Sequence, residues 1–348
     1  MSAHRLNDAL TVLLVRPDGI GDEILSLPVA TALRRLRPKA RIAFLSSEAA
    51  APVLAHHPDL DEVITLSGRE RFGELVSLFR RRIDVAIFLK PYRRLLLAAF
   101  AARVPLRVAT GYRWYSLLAN RRVYEHRSRF AKHESEYNLG LLAGLGLDPG
   151  PLARPALVVT GSERQWAERR LARLPLPRVV IHPGGRSARH WRAQQYRDLA
   201  HRLADDGYGI ILSGSEAERA RFLREVEESG GLRGDLLDLR GALSLREFMA
   251  VIGAAQVVVS GSTGAAHLAA GLGVPTVSLY DPQRKTHPIR WGPLGRGILL
   301  QPAVPTCERC VYEACPYWDC LDRITVDEVA ARVQQVLRRA EPIRVVRV

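Results

Sequence analysis

One carboxylate, on a turn between two regular elements, is the residue of this 348-residue chain best placed for acid–base chemistry. Asp22 follows the apolar run Leu10–Val15, after a turn that contains Gly19 and Gly21. Glycine permits unusual backbone angles and close approach of a ligand. The pattern predicts a strand, a turn and a helix, with Asp22 at the carboxyl end of a parallel strand, where α/β sheets bind ligands. The alternative is that Asp22 is only an acidic residue favoured in a first helical turn.

A loop in the second half of the chain has the composition of an anion site. The strand-like run Arg178–His182 is followed by Gly184, Gly185, Ser187 and Arg189. A backbone that an anion can approach closely, with a guanidinium beside it, suits a diphosphate. The alternative is an ordinary connection between a strand and a helix.

The segment after the β-branched run Val257–Ser260 gives a more specific signal. Ser262, Thr263 and Gly264 lead into a helix rich in small residues, and His267 lies in its first turns. The unpaired amides at a helix N-terminus form a ready phosphate site. The alternative is a Ser/Thr helix cap with a packed histidine.

All cysteines of the chain fall within one short segment. They form a C-x2-C-x4-C-x4-C pattern of Cys307, Cys310, Cys315 and Cys320. Thiolates at such spacing can surround Zn²⁺ or an iron centre. Reduced thiols packed in a loop, or disulfides, are the alternatives.

The net charge of +15 is concentrated in one block. Eleven Lys or Arg lie between positions 90 and 132, against the single acid Glu125. Arg113, Arg121 and Arg122 belong to this basic block. Such a field attracts polyanions, among them nucleic acid, anionic lipid and phosphorylated glycolipid; arginine-rich codon usage is the alternative. Because no apolar run of about 18 residues and no signal-peptide core is evident, we expect a cytoplasmic protein.

Strand-like and helix-like segments alternate along the chain, which predicts parallel, doubly wound α/β sheets. Helices are expected at Leu25–Leu36, Ala49–His56 and Glu134–Leu145. The length exceeds that of a usual single core, so two domains are expected.

The clustered breakers at Leu147–Leu152 predict a linker between these domains. The expected division is an N-terminal domain at 1–150 and a C-terminal domain at 151–325 with a cysteine-rich loop at 307–320. Residues 326–348 would form a helix and tail that pack back across both domains.

Together these segments resemble glycosyltransferase family 9, the lipopolysaccharide heptosyltransferases. The match begins with Gly21-Asp22 and with Leu27-Pro28 a few residues later. It continues through the glycine-rich loops to about residue 290. Two departures are visible: Arg189 stands where well-studied members have lysine, and Ser262 where many have aspartate. The resemblance implies a GT-B fold, in which two Rossmann-like domains face each other across a cleft.

The resemblance also implies residue roles. Asp22 would be the catalytic base, and Arg189 would stabilise the departing diphosphate. Glu216 would bind the adenosine ribose, and Leu243 would line the adenine pocket. The implied nucleotide-sugar-binding set is Gly184, Gly185, Ser187, Glu216, Leu243, Ser262, Thr263, Gly264 and His267.

The implied reaction is an inverting transfer of heptose from ADP-L-glycero-β-D-manno-heptose to an acceptor in the lipopolysaccharide inner core, with no cofactor required for catalysis. The basic block, with Arg113, Arg121 and Arg122, would bind the anionic acceptor or hold the enzyme at the inner membrane. A family relative that glycosylates a protein or another small acceptor is one alternative. A basic nucleic-acid-binding protein is another, but it lacks a recognisable binding motif and leaves the diphosphate loops unexplained, so no nucleic-acid partner is expected.

Overall fold

Short runs of aliphatic and β-branched residues form a parallel sheet in the first half of the chain, since such side chains suit strands covered on both faces. The computed structural model describes residues 10–185, 189–227, 231–234, 236–339 and 341–348. The strands of the first sheet are β1 (Thr11–Val15), β2 (Arg41–Ser47), β3 (Glu62–Leu66), β4 (Val85–Phe88), β5 (Leu106–Thr110) and β6 (Arg121–Val123). They pair in the order β3-β2-β1-β4-β5-β6.

Helices connect these strands and bury an apolar face against the sheet. They are α1 (Ile20–Ile24), α2 (Leu27–Leu36), α3 (Phe72–Phe79), α4 (Arg93–Ala101) and α5 (Glu134–Gly140). The predicted helix Leu25–Leu36 is shorter, because Pro28 in its first turn favours a helix start there. The helix predicted at Ala49–His56 is one 3₁₀ turn at Ala51–Leu54.

The second half of the chain repeats this plan. Its strands are β7 (Arg178–His182), β8 (Gly209–Leu212), β9 (Leu236–Asp238), β10 (Val257–Gly261), β11 (Thr276–Leu279), β12 (Gly297–Gln301) and β13 (Arg344–Arg347). The sheet order is β13-β12-β11-β10-β7-β8-β9, with all pairings parallel.

The helices of this half are α6 (Gly161–Leu171), α7 (Ala193–Asp205), α8 (Glu216–Glu227), α9 (Leu245–Gly253), α10 (Gly264–Gly271), α11 (Pro288–Trp291) and α12 (Val326–Arg338). Val329, Val333 and Val336 of α12 join the same buried core as the strands. Residues 326–348, predicted as a tail across the domains, thus supply α12 and the edge strand β13 to this sheet.

The chain divides into two units, Met1–Pro155 and Ala156–Val348. In each unit the first strand has its sequence successor on one side and a later strand on the other, and ligands of α/β sheets bind at such a switch point. The switch points are β1/β4 and β7/β10. The predicted fold class of two doubly wound parallel sheets is confirmed. Among the described residues, no helix combines the length and apolar character needed to cross a bilayer.

Candidate functional site

Asp22 lies at the switch point of the first sheet. It belongs to α1, which four residues separate from the end of β1. The segment after β4 contributes Lys90, whose Nζ lies 2.6 Å from Oδ2 of Asp18. Charged side chains from the loops after both strands therefore meet at this point. The sequence analysis predicted only Asp22 at such a position.

A buried arginine organises the carboxylates around Asp22. Arg16 is only 2% exposed, and its guanidinium forms an ion pair with Asp22. The same group lies 3.0 Å from Oε1 of Glu134 and 3.6 Å from Oδ2 of Asp18. Burial alone would lower the pKa of Arg16, but these three carboxylates raise it above its ordinary value. Arg16 is therefore a permanent cation among three anions.

Asp22 has the properties that a general base requires. Its side chain is 28% exposed, so a substrate hydroxyl can reach it. Burial raises the pKa of Asp22 above the ordinary value, while the charge of Arg16 opposes that rise. A carboxylate with an elevated pKa accepts a proton more readily than an ordinary aspartate does.

Two further carboxylates hold this loop in place, and the sequence analysis found neither. Glu134, 1% exposed, ties α5 to the end of β1 through its pair with Arg16, and it also pairs with Arg127 at 2.6 Å. Glu23 accepts hydrogen bonds from Ser46 Oγ at 2.5 Å and from the amide of Ser47 at 2.9 Å. Burial raises the pKa of Glu23 to about 7 against these hydrogen bonds.

The predicted acceptor-binding arginines lie away from Asp22. Arg121 and Arg122 are exposed on β6, and Arg113 precedes a 3₁₀ turn between β5 and β6. Because β6 is the third strand from β1 and neighbouring strands are about 5 Å apart, β6 and β1 are about 15 Å apart across the sheet. The structure brings Lys90, rather than these arginines, to the group around Asp22.

In the second unit, the loops after β7 and β10 meet at the switch point. Gly185 adopts φ 148°, and a methyl group on it would lie 2.7 Å from Cγ2 of Thr263. The hydroxyl of Thr263 is buried and has no hydrogen-bond partner among the described residues. Thr263 precedes α10, whose first turn begins at Gly264 and contains the buried His267. Free amides and an unsatisfied hydroxyl at a helix N-terminus suit a phosphate.

Glu218 supports the glycine loop, and no local pattern in the sequence points to it. Its Oε1 accepts a hydrogen bond from the amide of Gly185 at 2.9 Å. Burial opposes ionisation, but hydrogen bonds from Ser215 and the nearby His182 hold the pKa of Glu218 below its ordinary value. A methyl group on Gly184 would lie 2.1 Å from the same Oε1. A side chain at position 184 would therefore displace the Glu218 carboxylate from the Gly185 amide.

The other residues predicted to bind the nucleotide sugar lie on other segments of the second unit. Glu216, with a side chain 68% exposed, begins α8, and its Oε2 lies against Gly241. Leu243, two residues farther along the chain, is partly buried. Ser262, between β10 and α10, hydrogen-bonds Tyr280. Ser187 lies outside the described residues.

Arg189 connects the glycine loop to the cysteines. Its amide donates to Oδ2 of Asp281 at 2.9 Å, and its Nη1 lies 3.9 Å from Sγ of Cys310. All four cysteines line one pocket together with Arg189 and Asp281. They are free thiols, and in the described chain no three His, Cys, Asp or Glu side chains are arranged to hold a metal ion. The metal site predicted from the cysteine spacing is thus not shown by the described residues, and both metal ligands and packed reduced thiols remain predictions.

Thiol titration tests this arrangement. Burial raises the pKa of the Cys307 and Cys320 thiols, which favours the neutral form at pH 7. We expect four titratable thiols in denatured, non-reduced protein, and a melting temperature that chelators leave unchanged. About one Zn or Fe per chain by elemental analysis would contradict this expectation and support the metal site predicted from the sequence.

Comparison with known proteins adds to this geometry. The model of glycosyltransferase family 9 (heptosyltransferase) matches residues 76–317. The chain belongs to glycosyltransferase family 9. As a family 9 member it is a glycosyltransferase, so the family and enzyme class predicted from the sequence are confirmed.

Individual members of family 9 match most of the chain. Lipopolysaccharide heptosyltransferase 2 of Escherichia coli is 26% identical, with 78% of this chain and 83% of the relative covered. Lipopolysaccharide heptosyltransferase 1 of Pseudomonas aeruginosa is also 26% identical, with 96% and 100% covered. The solved structure of E. coli ADP-heptose lps heptosyltransferase II has a TM-score of 0.77 at 24% identity, covering 95% of this chain and 99% of that one. The fold is thus the GT-B fold of two Rossmann-like domains.

Proposed function

We propose that this glycosyltransferase transfers heptose from ADP-L-glycero-β-D-manno-heptose to a hydroxyl of the lipopolysaccharide inner core. The observation that carries the proposal is the partly exposed Asp22 carboxylate, held by the buried Arg16 at the switch point of the first sheet. The family 9 relatives named as lipopolysaccharide heptosyltransferases support the substrate class. The solved relative is named an ADP-heptose heptosyltransferase, which supports ADP-heptose as the donor.

Asp22 acts as general base in the proposed reaction. Its carboxylate takes the proton of the acceptor hydroxyl as the oxygen attacks the anomeric carbon of the heptose. The new bond forms on the face opposite ADP, and the bond between that carbon and the diphosphate oxygen breaks, so the configuration inverts. The electron pair leaves with ADP, and Asp22 later releases its proton to solvent.

The second unit binds the donor in this proposal. Negative charge grows on the diphosphate as its bond breaks, and the amides at the start of α10, with the hydroxyl of Thr263, stabilise it. Arg189 adds a positive charge, and Glu216 and Leu243 take the ribose and the adenine. The chemistry of these groups requires no cofactor.

The acceptor is an anionic glycolipid, so we place the enzyme in the cytoplasm, peripheral to the inner membrane. Lys90, with a side chain 48% exposed, pairs with Asp18 in the group around Asp22, where an acceptor phosphate or carboxylate could reach it. The exposed Arg113, Arg121 and Arg122 lie farther out and attract the same anions at longer range.

Product analysis tests the function. Purified enzyme is incubated with ADP-heptose and a panel of truncated inner-core acceptors, and products are identified by mass spectrometry. We expect one added heptose on an acceptor of the panel and inverted anomeric configuration by NMR. Transfer to a protein substrate with none to the glycolipids would contradict the acceptor. Preference for another sugar nucleotide, with ADP-heptose inert, would contradict the donor.

Gly184→Ala tests whether the glycine loop after β7 binds the ADP part of the donor. The added methyl group collides with Glu218, which must release the amide of Gly185. Losing a hydrogen bond to a charged group should weaken ADP binding about tenfold, measured by calorimetry. Gly161→Ala is the matched control, because a methyl group there meets nothing within 4 Å. Equal ADP affinities in the two variants would exclude the loop from donor binding.

A further inference from the structure

Large apolar side chains are exposed on two neighbouring elements of the first unit. On α4, Leu97 and Phe100 are 42% and 49% exposed. On the 3₁₀ turn Trp114–Leu118, Trp114 and Leu117 are 74% and 77% exposed. Soluble proteins rarely leave such side chains grouped in water unless they meet a partner. We call these four residues the apolar strip.

The two elements are fixed to one another. Arg107 lies with its guanidinium carbon 5.3 Å from the centre of the Phe100 ring, and its Nε donates to the carbonyl of Leu118 at 2.8 Å. The Tyr115 hydroxyl donates to the carbonyl of Pro91, just before α4, at 2.8 Å. The inward side of the turn is thus held on the protein, while Trp114 and Leu117 point outward.

Positive charge surrounds the apolar strip. Arg93 and Arg94 occupy the first turn of α4, which contains no acidic residue. Cations at a helix N-terminus oppose the helix dipole and cost a few tenths of a kcal/mol or more. Exposed arginines also precede Trp114 and follow the turn, at Arg113, Arg121 and Arg122. Helix stability does not explain arginines in the first turn of α4, whereas attraction to an anionic partner does.

The charge decides between two kinds of partner. A second copy of the chain would bring the same arginines against one another, since a symmetric contact pairs a surface with itself. A bilayer with anionic headgroups instead offers an apolar interior edge below a layer of negative phosphates. Trp, Phe and Leu flanked by Arg are the residues of segments that lie in such an interface.

We propose that the apolar strip docks on the surface of a bilayer that contains anionic phospholipids. Trp114 and Leu117 enter the headgroup region, and Arg93, Arg94 and Arg113 contact lipid phosphates. This inference rests on the proposed function to the extent that it brings the enzyme to a membrane-bound acceptor. The apolar strip shares no residue with the group around Asp22 or with the loops assigned to ADP.

Vesicle binding tests the docking surface. The full chain is sedimented with vesicles of phosphatidylethanolamine and phosphatidylglycerol. Combining Trp114→Ala with Leu117→Asp should lower the partition coefficient about tenfold or more. Raising the salt from about 0.1 M to about 1 M should also weaken wild-type binding. The matched control is Ile289→Asp, which changes an isoleucine 56% exposed in the second unit and should bind as wild type does.

Fluorescence provides a measurement that does not depend on a disruptive variant. Trp114 is one of five tryptophans, so the difference between wild type and Trp114→Phe isolates its emission. We expect a blue shift with anionic vesicles and quenching by lipids brominated in their acyl chains. Unshifted Trp114 emission, or equal vesicle binding by wild type and the double variant, would overturn the proposal.

A soluble acceptor separates this inference from the proposed function. The double variant should transfer sugar at the wild-type rate to a delipidated core oligosaccharide and more slowly to acceptor embedded in vesicles. Vesicle binding through the strip without any heptosyl transfer would refute the function and leave the docking surface. A dimer that the double variant abolishes, with no vesicle binding, would show a second copy as the partner and overturn the inference.

Discussion

Asp22→Asn should lower kcat by a factor of about 10² to 10⁴, the range expected when a general base is lost. ADP affinity should change little, because the loops assigned to ADP belong to the second unit. The amide retains an oxygen that can accept from Arg16, so the fold should be preserved. The measurement is a single-turnover rate at saturating donor, with ADP affinity determined in parallel.

Asp18→Asn is the matched control for this prediction. Asp18 lies beside the same Arg16, but a hydrogen bond and charge from Lys90 outweigh burial and lower its pKa. It is therefore a poor proton acceptor, and its amide variant should lose much less activity than Asp22→Asn. Near-normal turnover by Asp22→Asn, or equal losses in the two variants, would remove Asp22 from the role of base.

Arg16→Met should be the most destabilising of the substitutions considered. It leaves the buried Glu134 with less compensating charge and the Asp22 carboxylate without its ion pair. Breaking a buried pair from one side typically costs about 3 to 5 kcal/mol of unfolding free energy. Arg81→Met is the control: Arg81 is 58% exposed and its partner Glu62 34%, so the loss should stay within about 1 kcal/mol. Denaturant unfolding measures both.

Arg16→Met should also shift the dependence of kcat on pH. Arg16 opposes the rise that burial causes in the pKa of Asp22, so removing the cation lets that pKa climb further. The base is active when ionised, and the acidic limb of kcat against pH should shift to higher pH. Arg16→Lys restores the charge and should return the limb toward the wild-type position. An unshifted limb in Arg16→Met would show that Arg16 does not influence the base.

The parts of the site that the sequence could predict are local. Asp22 and Gly185 each lie within a few residues of an apolar strand, so their position at the end of that strand follows from the pattern alone. Glu134 pairs with Arg16 across 118 positions, and Glu218 binds the Gly185 amide across 33. Such pairs depend on which strands become neighbours, which no local pattern specifies.

The sequence analysis predicts no strand at the positions of β6 and β13, for a related reason. The segments that form β6 and β13 each contain two arginines, so they lack the continuous apolar run of a central strand. Both lie at the edge of a sheet, where charged side chains remain in water and discourage pairing with other chains. The sequence analysis did not predict the split between α1 and α2 either, although Pro28, which cannot continue a helix from the preceding turn, is a local signal for it.

The pairing of β13 with β12 has a consequence for biosynthesis. The last strand of the second sheet begins at Arg344, and Gly297 in β12 already hydrogen-bonds the carbonyl of Glu341. A ribosome adding about 5 to 20 residues per second needs about 10 to 40 s to translate residues 156–348. During this time the nascent first unit can fold, while the second lacks an edge strand and exposes β12. Chaperone contacts on the ribosome should therefore be concentrated on the second unit.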